Sequence, residues 1–369
     1  MPGGAKGRGL DSGAIARRRL RTQRLAGRGF GSPADVVRWF GAVQAQDYPG
    51  ALWAVGMRAS GATEADVEQA LATPAIVRTW PLRGTIHFVA PDDVRWMLTH
   101  FAPRTIARAA PRFRQLELDA RVLAKSAAIF VRALQGRRQQ TRPRLYALLE
   151  KAGIPTRDNR GLHVLWRCAH DGLICFAARE GKQPTFALLE EWVPRARTRD
   201  REEALAELAR RYFTSHGPAT LHDFIWWSGL SAADARRAVE SAGVRASRLM
   251  SPALGATAPG TPARGTSAPR RALRPHAVLL PPYDEYTVAY RDRSAALDPV
   301  HAAAAKNGIF SPTIVLDGRI VGTWTRRLSR DAVAIALKPF APLAGARARG
   351  VAAAAARYGR FLGRPARIV

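Results

Sequence analysis

Residues 32–50 read SPADVVRWFGAVQAQDYPG, and residues 76–89 read IVRTWPLRGTIHFV. These two stretches decide the fold. Ser32 reads as an N-cap, Pro33 takes the first helical position, and Asp35 complements the positive helix end. Val36, Val37, Phe40 and Val43 follow at helical spacing, so the helix is expected to run into Gln44-Ala45-Gln46. Asp47-Tyr48-Pro49-Gly50 then reads as a turn. A second helix starts near Thr63, where Thr63-Glu64-Ala65-Asp66 comes close to a capping box and Val67, Ala70 and Leu71 follow. Ile76 to Trp80 and Arg83 to Val89 read as paired strands. Asp92 and Asp93 open a further helix through Trp96 and Leu98. Helices followed by a two-stranded ribbon is the order of a winged helix.

The same order recurs downstream. Ala120 to Leu134 and Arg142 to Gly153 are amphipathic helices, Gly161 to Ala169 is a third, and a hairpin over Glu180-Gly181-Lys182 follows. Arg201 to Thr214 begins a third group. There Leu221 to Ser228 and a helix capped by Ser231 flank Gly229-Leu230-Ser231, the signature of a helix-turn-helix. Residues 244–276 are rich in Ala, Pro, Gly, Ser, Thr and Arg, contain no acid, and read as a flexible basic linker. Beyond them the chain turns β-like, with a hairpin on Asp317-Gly318 and an Arg-rich tail from Ala341. The expected class is α+β, mostly helical. The expected segments are a basic tail over 1–30, a first winged-helix unit over 31–100, a second over 101–195, a helix-turn-helix unit over 196–243, the linker over 244–276, and a β-rich module with a terminal basic helix over 277–369.

Charge narrows the partners. The 369 residues carry 58 Lys and Arg against 29 Asp and Glu, a formal charge of +29, and only six of the 58 are Lys. Such an excess favours a polyanion, nucleic acid before an anionic membrane. Residues 1–30 hold eight basic side chains and one acid, Asp11. Two readings stand for them, a frayed tail or an arm lying on phosphates. No apolar run reaches the roughly 18 residues that span a bilayer, and no apolar core of a secretory signal follows Met1. The cysteines, Cys168 and Cys175, lack zinc spacing and do not suggest a disulfide scaffold. A cytoplasmic, nucleoid-associated protein without metal or cofactor is expected.

No phosphate-cradling loop, nucleophile elbow or HExxH zinc helix is present. The eight histidines are scattered. The unusual feature is Gln44-Ala45-Gln46. Two amides two residues apart near a helix exit can point into one cleft, or can be two capping or surface glutamines.

Several motifs taken together resemble a known family. They are Gln44-Ala45-Gln46-Asp47, Trp53, Thr79-Trp80, Leu82-Arg83-Gly84-Thr85-Ile86-His87, Leu279-Leu280-Pro281, Tyr283-Asp284-Glu285-Tyr286, Arg291-Asp292-Arg293, and Asp317-Gly318-Arg319 with Gly322-Thr323-Trp324. The pattern is similar to that of the AlkZ/YcaQ-type winged-helix DNA glycosylases over most of residues 14–340. The resemblance implies tandem winged helices in a C-shaped arrangement with a β-rich C-terminal part. It also implies excision of bulky or N-alkylated purines from duplex DNA, with unhooking of interstrand crosslinks in some members. Gln44 and Gln46 fall on the family's catalytic motif and would hold the attacking water.

The chemistry fits those residue types. A carboxamide does not titrate near neutrality, so it orients water without acting as a general base. Glycosidic cleavage passes through an oxocarbenium-like transition state. A purine alkylated at N7 or N3 is already cationic and departs neutral, so positioning carries much of the catalysis. No Lys lies near the glutamines to form a Schiff base, which points to a monofunctional enzyme. Asp47 is either an auxiliary that polarises the water or a turn former. Arg83 and His87 sit where a ribbon meets phosphate, with a core-facing His87 as the other reading. Tyr48 and Trp80 are either wedges beside a displaced base or, for Trp80 above all, core. Arg291 and Arg293 join the DNA-binding set. The other function class is a non-catalytic winged-helix regulator, which would need no paired amides. A monomer without an obligatory protein partner is expected.

Overall fold

The computed structural model describes residues 11–195, 197–244, 249–250 and 276–369, and close to half of them are helical. The chain is mixed α/β and divides into two compact units. The expected linker over 244–276 lies almost wholly outside the described residues. Among the described residues, no helix is long and apolar enough to cross a membrane.

One unit comprises residues 33–46 and 65–204. Its centre is a six-stranded sheet in the spatial order Ala42–Gln44, Thr85–Val89, Val77–Leu82, Ile174–Phe176, Thr185–Leu188, Gln140–Thr141. The two ribbons seen in the sequence, 77–89 and 174–188, therefore share one sheet, joined by the pairing of Arg78 with Phe176. Trp80, Phe113, Phe130, Leu145, Val164, Leu165 and Phe186 build the core behind the second ribbon.

The strand Ala42–Gln44 corrects the expected helix end. The helix Pro33–Phe40 stops at Gly41, whose φ of +80° lies in the left-handed region. Val43 then pairs with Phe88 and Gln44 with His87. The apparent helical spacing of Val43 reflects burial in a sheet, where a branched side chain fits as well.

The second unit comprises residues up to 32, 47–64 and 205–369. It holds a five-stranded sheet in the order Ala366–Ile368, Val333–Pro339, Arg319–Leu328, Thr313–Leu316, Ala277–Leu280. Asp47-Tyr48-Pro49-Gly50 is the start of the helix Tyr48–Gly56, where a turn was expected. Asp47 is its N-cap residue and Pro49 falls in the first turn, where a missing N–H costs nothing. This helix is buried from Gly50 to Gly56 and so has no polar face to betray its period.

Residues 11–22, expected within a basic tail, form a docked helix. Asp11 Oδ1 accepts the Ala14 N–H at 2.6 Å, and Ala16, Arg19 and Leu20 are buried. The lone acid of the segment is its cap, and Ala16 and Leu20, four residues apart, supply the apolar stripe. The helices Leu221–Ser228 and Ala232–Ser241 flank Gly229, the left-handed C-cap of the first, and a capping box joins Thr220 and Asp223.

Candidate functional site

The glutamine pair is built by strand pairing. Gln44, His87 and Thr79 line up across three neighbouring strands and all three are buried. The Ala45 N–H continues the ladder by donating to the Ile86 carbonyl at 2.8 Å, and the Ala45 side chain is fully enclosed. The chain then bends, and Gln46 emerges into solvent.

Both carboxamides are oriented by the backbone. The Gln46 N–H donates to Gln44 Oε1 at 3.0 Å. The Ile86 N–H donates to Gln46 Oε1 at 3.3 Å. Only an oxygen can accept from a peptide N–H, so these two bonds fix which end of each amide is which. Arg78 Nη2 donates to the Ala45 carbonyl at 3.2 Å and its guanidinium lies 4.2 Å over the Phe176 ring, which pins the bend from below.

His87 is wholly buried, and its ring is held at both nitrogens. Arg83 Nη2 lies 3.4 Å from Nε2, and the Thr85 carbonyl lies 2.9 Å from Nδ1. A guanidinium only donates and a carbonyl only accepts, so His87 is the neutral tautomer with the proton on Nδ1. Arg83 occupies the corner of the ribbon with Gly84, both at positive φ (+55° and +73°), as a two-residue hairpin requires. The core-facing reading of His87 is the one that holds, and Arg83 is its partner.

Trp80 likewise belongs to the core. It is 5% exposed and stacks on Phe176 with ring centroids 4.8 Å apart. Next to it His170 is buried, donates from Nδ1 to the Trp166 carbonyl at 2.8 Å, and lies 3.7 Å from the Trp166 ring. Among the described residues, no hydrogen-bond partner meets its Nε2. Burial pushes His170 down to about 4, against a hydrogen bond to Trp166 that favours the charged form. Cys168 and Cys175 are buried free thiols, raised by burial.

Asp47, Tyr48, Arg291 and Arg293 belong to the other unit. Burial raises the Asp47 carboxyl above the usual carboxylate range, opposed by the Arg326 charge and the Gly50 N–H. Arg326 is itself lowered by burial and bonds the Tyr358 hydroxyl. Tyr48 is half-buried at the first turn of its helix. Arg291 is exposed, and its N–H donates to Asp223 Oδ1 at 2.9 Å. Arg293 is a tie within the fold: Nε donates to the Thr287 carbonyl at 2.9 Å and its guanidinium lies 5.5 Å over Trp226.

The downstream motif Tyr283-Asp284-Glu285-Tyr286 is structural. Asp284 takes both ends of the Arg58 guanidinium at 2.8 Å, and Arg58 also donates to the carbonyls of Gln23 and Ala54. Glu285 Oε2 accepts the Trp227 indole N–H at 3.0 Å and faces His216 Nε2 at 3.2 Å. Arg78, Arg326 and Arg58 were missed from sequence, since among 58 basic residues no spacing separates those that turn inward.

Three comparisons bear on this geometry. A family model described as DNA glycosylase AlkZ-like matches residues 37–361. The "Interstrand DNA cross-link repair glycosylase" of Streptomyces sahachiroi is 26% identical over 337 residues, covering 83% of this chain and 85% of that protein. The solved structure of the Streptomyces sahachiroi DNA glycosylase AlkZ matches with a TM-score of 0.69 at 23% identity, over 96% of this chain and 98% of that one. At that identity the structural likeness speaks for the fold.

Proposed function

The chain belongs to the AlkZ-like DNA glycosylase family, and from that premise we propose that it hydrolyses the N-glycosidic bond of purines alkylated at N7 or N3, with Gln44 and Gln46 holding the attacking water. The observation that carries this reading is the backbone N–H on each carboxamide oxygen, Gln46 N–H on Gln44 and Ile86 N–H on Gln46. Two amides fixed in rotation by the backbone can orient a water without reorganisation at the moment of reaction.

In this reading water oxygen bonds to C1′ of the deoxyribose as the glycosidic electron pair leaves with the base. The alkylated ring thereby loses its positive charge, and the water proton passes to solvent. Undamaged purines lack that charge and are poor substrates. No amine takes part, so an abasic site is the product and the strand stays intact. Asp47 acts as the cap of the helix that follows, and the neutral His87 packs beside Gln44 on the next strand. The helix–ribbon groups serve as winged helices along duplex DNA. The protein works as a cytoplasmic monomer on the nucleoid. The Streptomyces relative is named for crosslink repair, so purines alkylated on both strands fall within the proposed substrate class.

The test is a duplex bearing 7-methylguanine, incubated with protein and then cleaved with alkali at abasic sites. Wild-type protein should generate the cleavage. The double variant Gln44→Ala, Gln46→Ala should lose on the order of 100-fold or more in single-turnover rate, as removal of a preorganised polar group does, while still binding the duplex. A wild-type protein that binds duplex and releases no base leaves the non-catalytic DNA-binding reading instead.

A further inference from the structure

The helix Gly345–Phe361 contains no acid and four arginines. Arg349, Arg357 and Arg360 project from it into a cavity of about 600 Å³, whose remaining wall includes His276 and Ala277. Positions 349, 353, 357 and 360 fall on one stripe of a helix. At about 1.5 Å per residue the arginines span about 16 Å along the axis. Between them Gly350, Ala353 and Ala354 line the floor, so nothing bulky keeps a ligand from the helix backbone.

Among the described residues, no carboxylate lines this cavity. Two acids of this unit have partners of their own. Asp317 Oδ1 accepts the His276 N–H at 2.9 Å, and Asp284 is taken by Arg58. His276 Nε2 faces the Leu25 carbonyl at 2.7 Å. Arg357 is anchored by a bond from Nη2 to the Met57 carbonyl. Burial first, and then the charges of Arg58 and Arg360, hold Arg357 below the usual arginine range. Like charges gathered against one another raise the free energy of the protein alone, and an anion in the cavity offsets it.

We propose that this arginine stripe, in the unit that does not hold the glutamine strand, is a phosphate-binding surface for the backbone of duplex DNA. A stripe this long exceeds one phosphate and matches a polymer whose strands repeat a charge every 3.4 Å or so along the axis. The inference rests on DNA being the partner and does not rest on the roles of Gln44 and Gln46. The surface carries affinity and no sequence information.

The experiment is fluorescence anisotropy on an undamaged duplex over a salt series. Wild-type protein is compared with the triple variants R349A/R357A/R360A and R349K/R357K/R360K. Three lost phosphate contacts should flatten the slope of log K against log salt by about 2.7. The lysine variant, which keeps the charges, should restore most of it. Single-turnover release of 7-methylguanine at saturating enzyme should be unchanged in both. If the alanine triple does not fold, judged by circular dichroism, R349A and R360A singly should each flatten the slope by about 0.9, since both side chains are exposed. An unchanged slope in the alanine variants overturns the proposal. So does loss of inorganic-phosphate binding by calorimetry with the duplex slope intact, which would mark a small-anion site. Loss of base release in the glutamine variants with this slope intact would bear on the catalytic reading alone.

Discussion

His170 should make the stability of its unit depend on pH in a range where most carboxylates are silent. In the folded protein it is held near 4, against 6.5 for an ordinary histidine. The sign follows from proton counting. Below pH 6.5 the unfolded chain binds a proton that the folded chain refuses, so stability is full above 6.5 and falls as pH drops toward the folded value. Between pH 8 and pH 5 the loss from this one group is about 2 kcal/mol, worked from the two pKa values. With m-values typical of small proteins, that is a fall of roughly 1 M in the urea midpoint. The assay is urea unfolding followed by tryptophan fluorescence, since Trp166 lies against the imidazole. His170→Phe keeps a ring in the aromatic cluster and removes the titration, so its midpoint should fall by much less over the same interval. His216, in the other unit and also lowered by burial, gives that unit a slope of the same sign. Equal pH dependence in wild type and variant would refute the assignment, and with it the claim that the imidazole is neutral and dry.

Two further substitutions test the packing of the other unit. Arg58→Met strands the Asp284 carboxylate, whose side chain is fully buried, and should cost about 3–5 kcal/mol in denaturant unfolding. Gly56→Ala would place a Cβ 2.1 Å from Phe361 Cε2, so the terminal helix must shift, at about 1–3 kcal/mol read as a lowered melting temperature.

Much of the fold is legible because burial writes a period into the chain. The β-rich run over 76–89 reads as a pair of strands, and Ser231 reads as the cap of the helix that follows it. The misreadings have physical causes. Pro49 and Gly50 look like breakers, yet a proline is welcome in the first turn of a helix. Val43 matched a helical period by accident, and Gly41, which ends the helix, is a single residue. Gln44 and Gln46 were legible as a pair. The backbone N–H groups that orient them were not, because the Ile86 amide arrives from a strand 40 residues away. The inward arginines were equally opaque. Arg58 meets its carboxylate 226 residues later, and no local pattern records such a distance.

That separation also sets an order of events on the ribosome. All the chain of the sheet-centred unit has been made once residue 204 is complete, whereas the other unit draws on residues up to 32, on 47–64 and on everything from 205 onward. At 5–20 residues per second, Arg58 emerges roughly 10 to 45 s before the acid that neutralises it. During translation the helix Ser12–Thr22 and the stretch 47–64 must wait, unfinished, while residues 65–204 are made and complete the unit that 33–46 began. Until then the segments 11–32 and 47–64 lack the partners that bury them, and they are open to proteases and holdase chaperones.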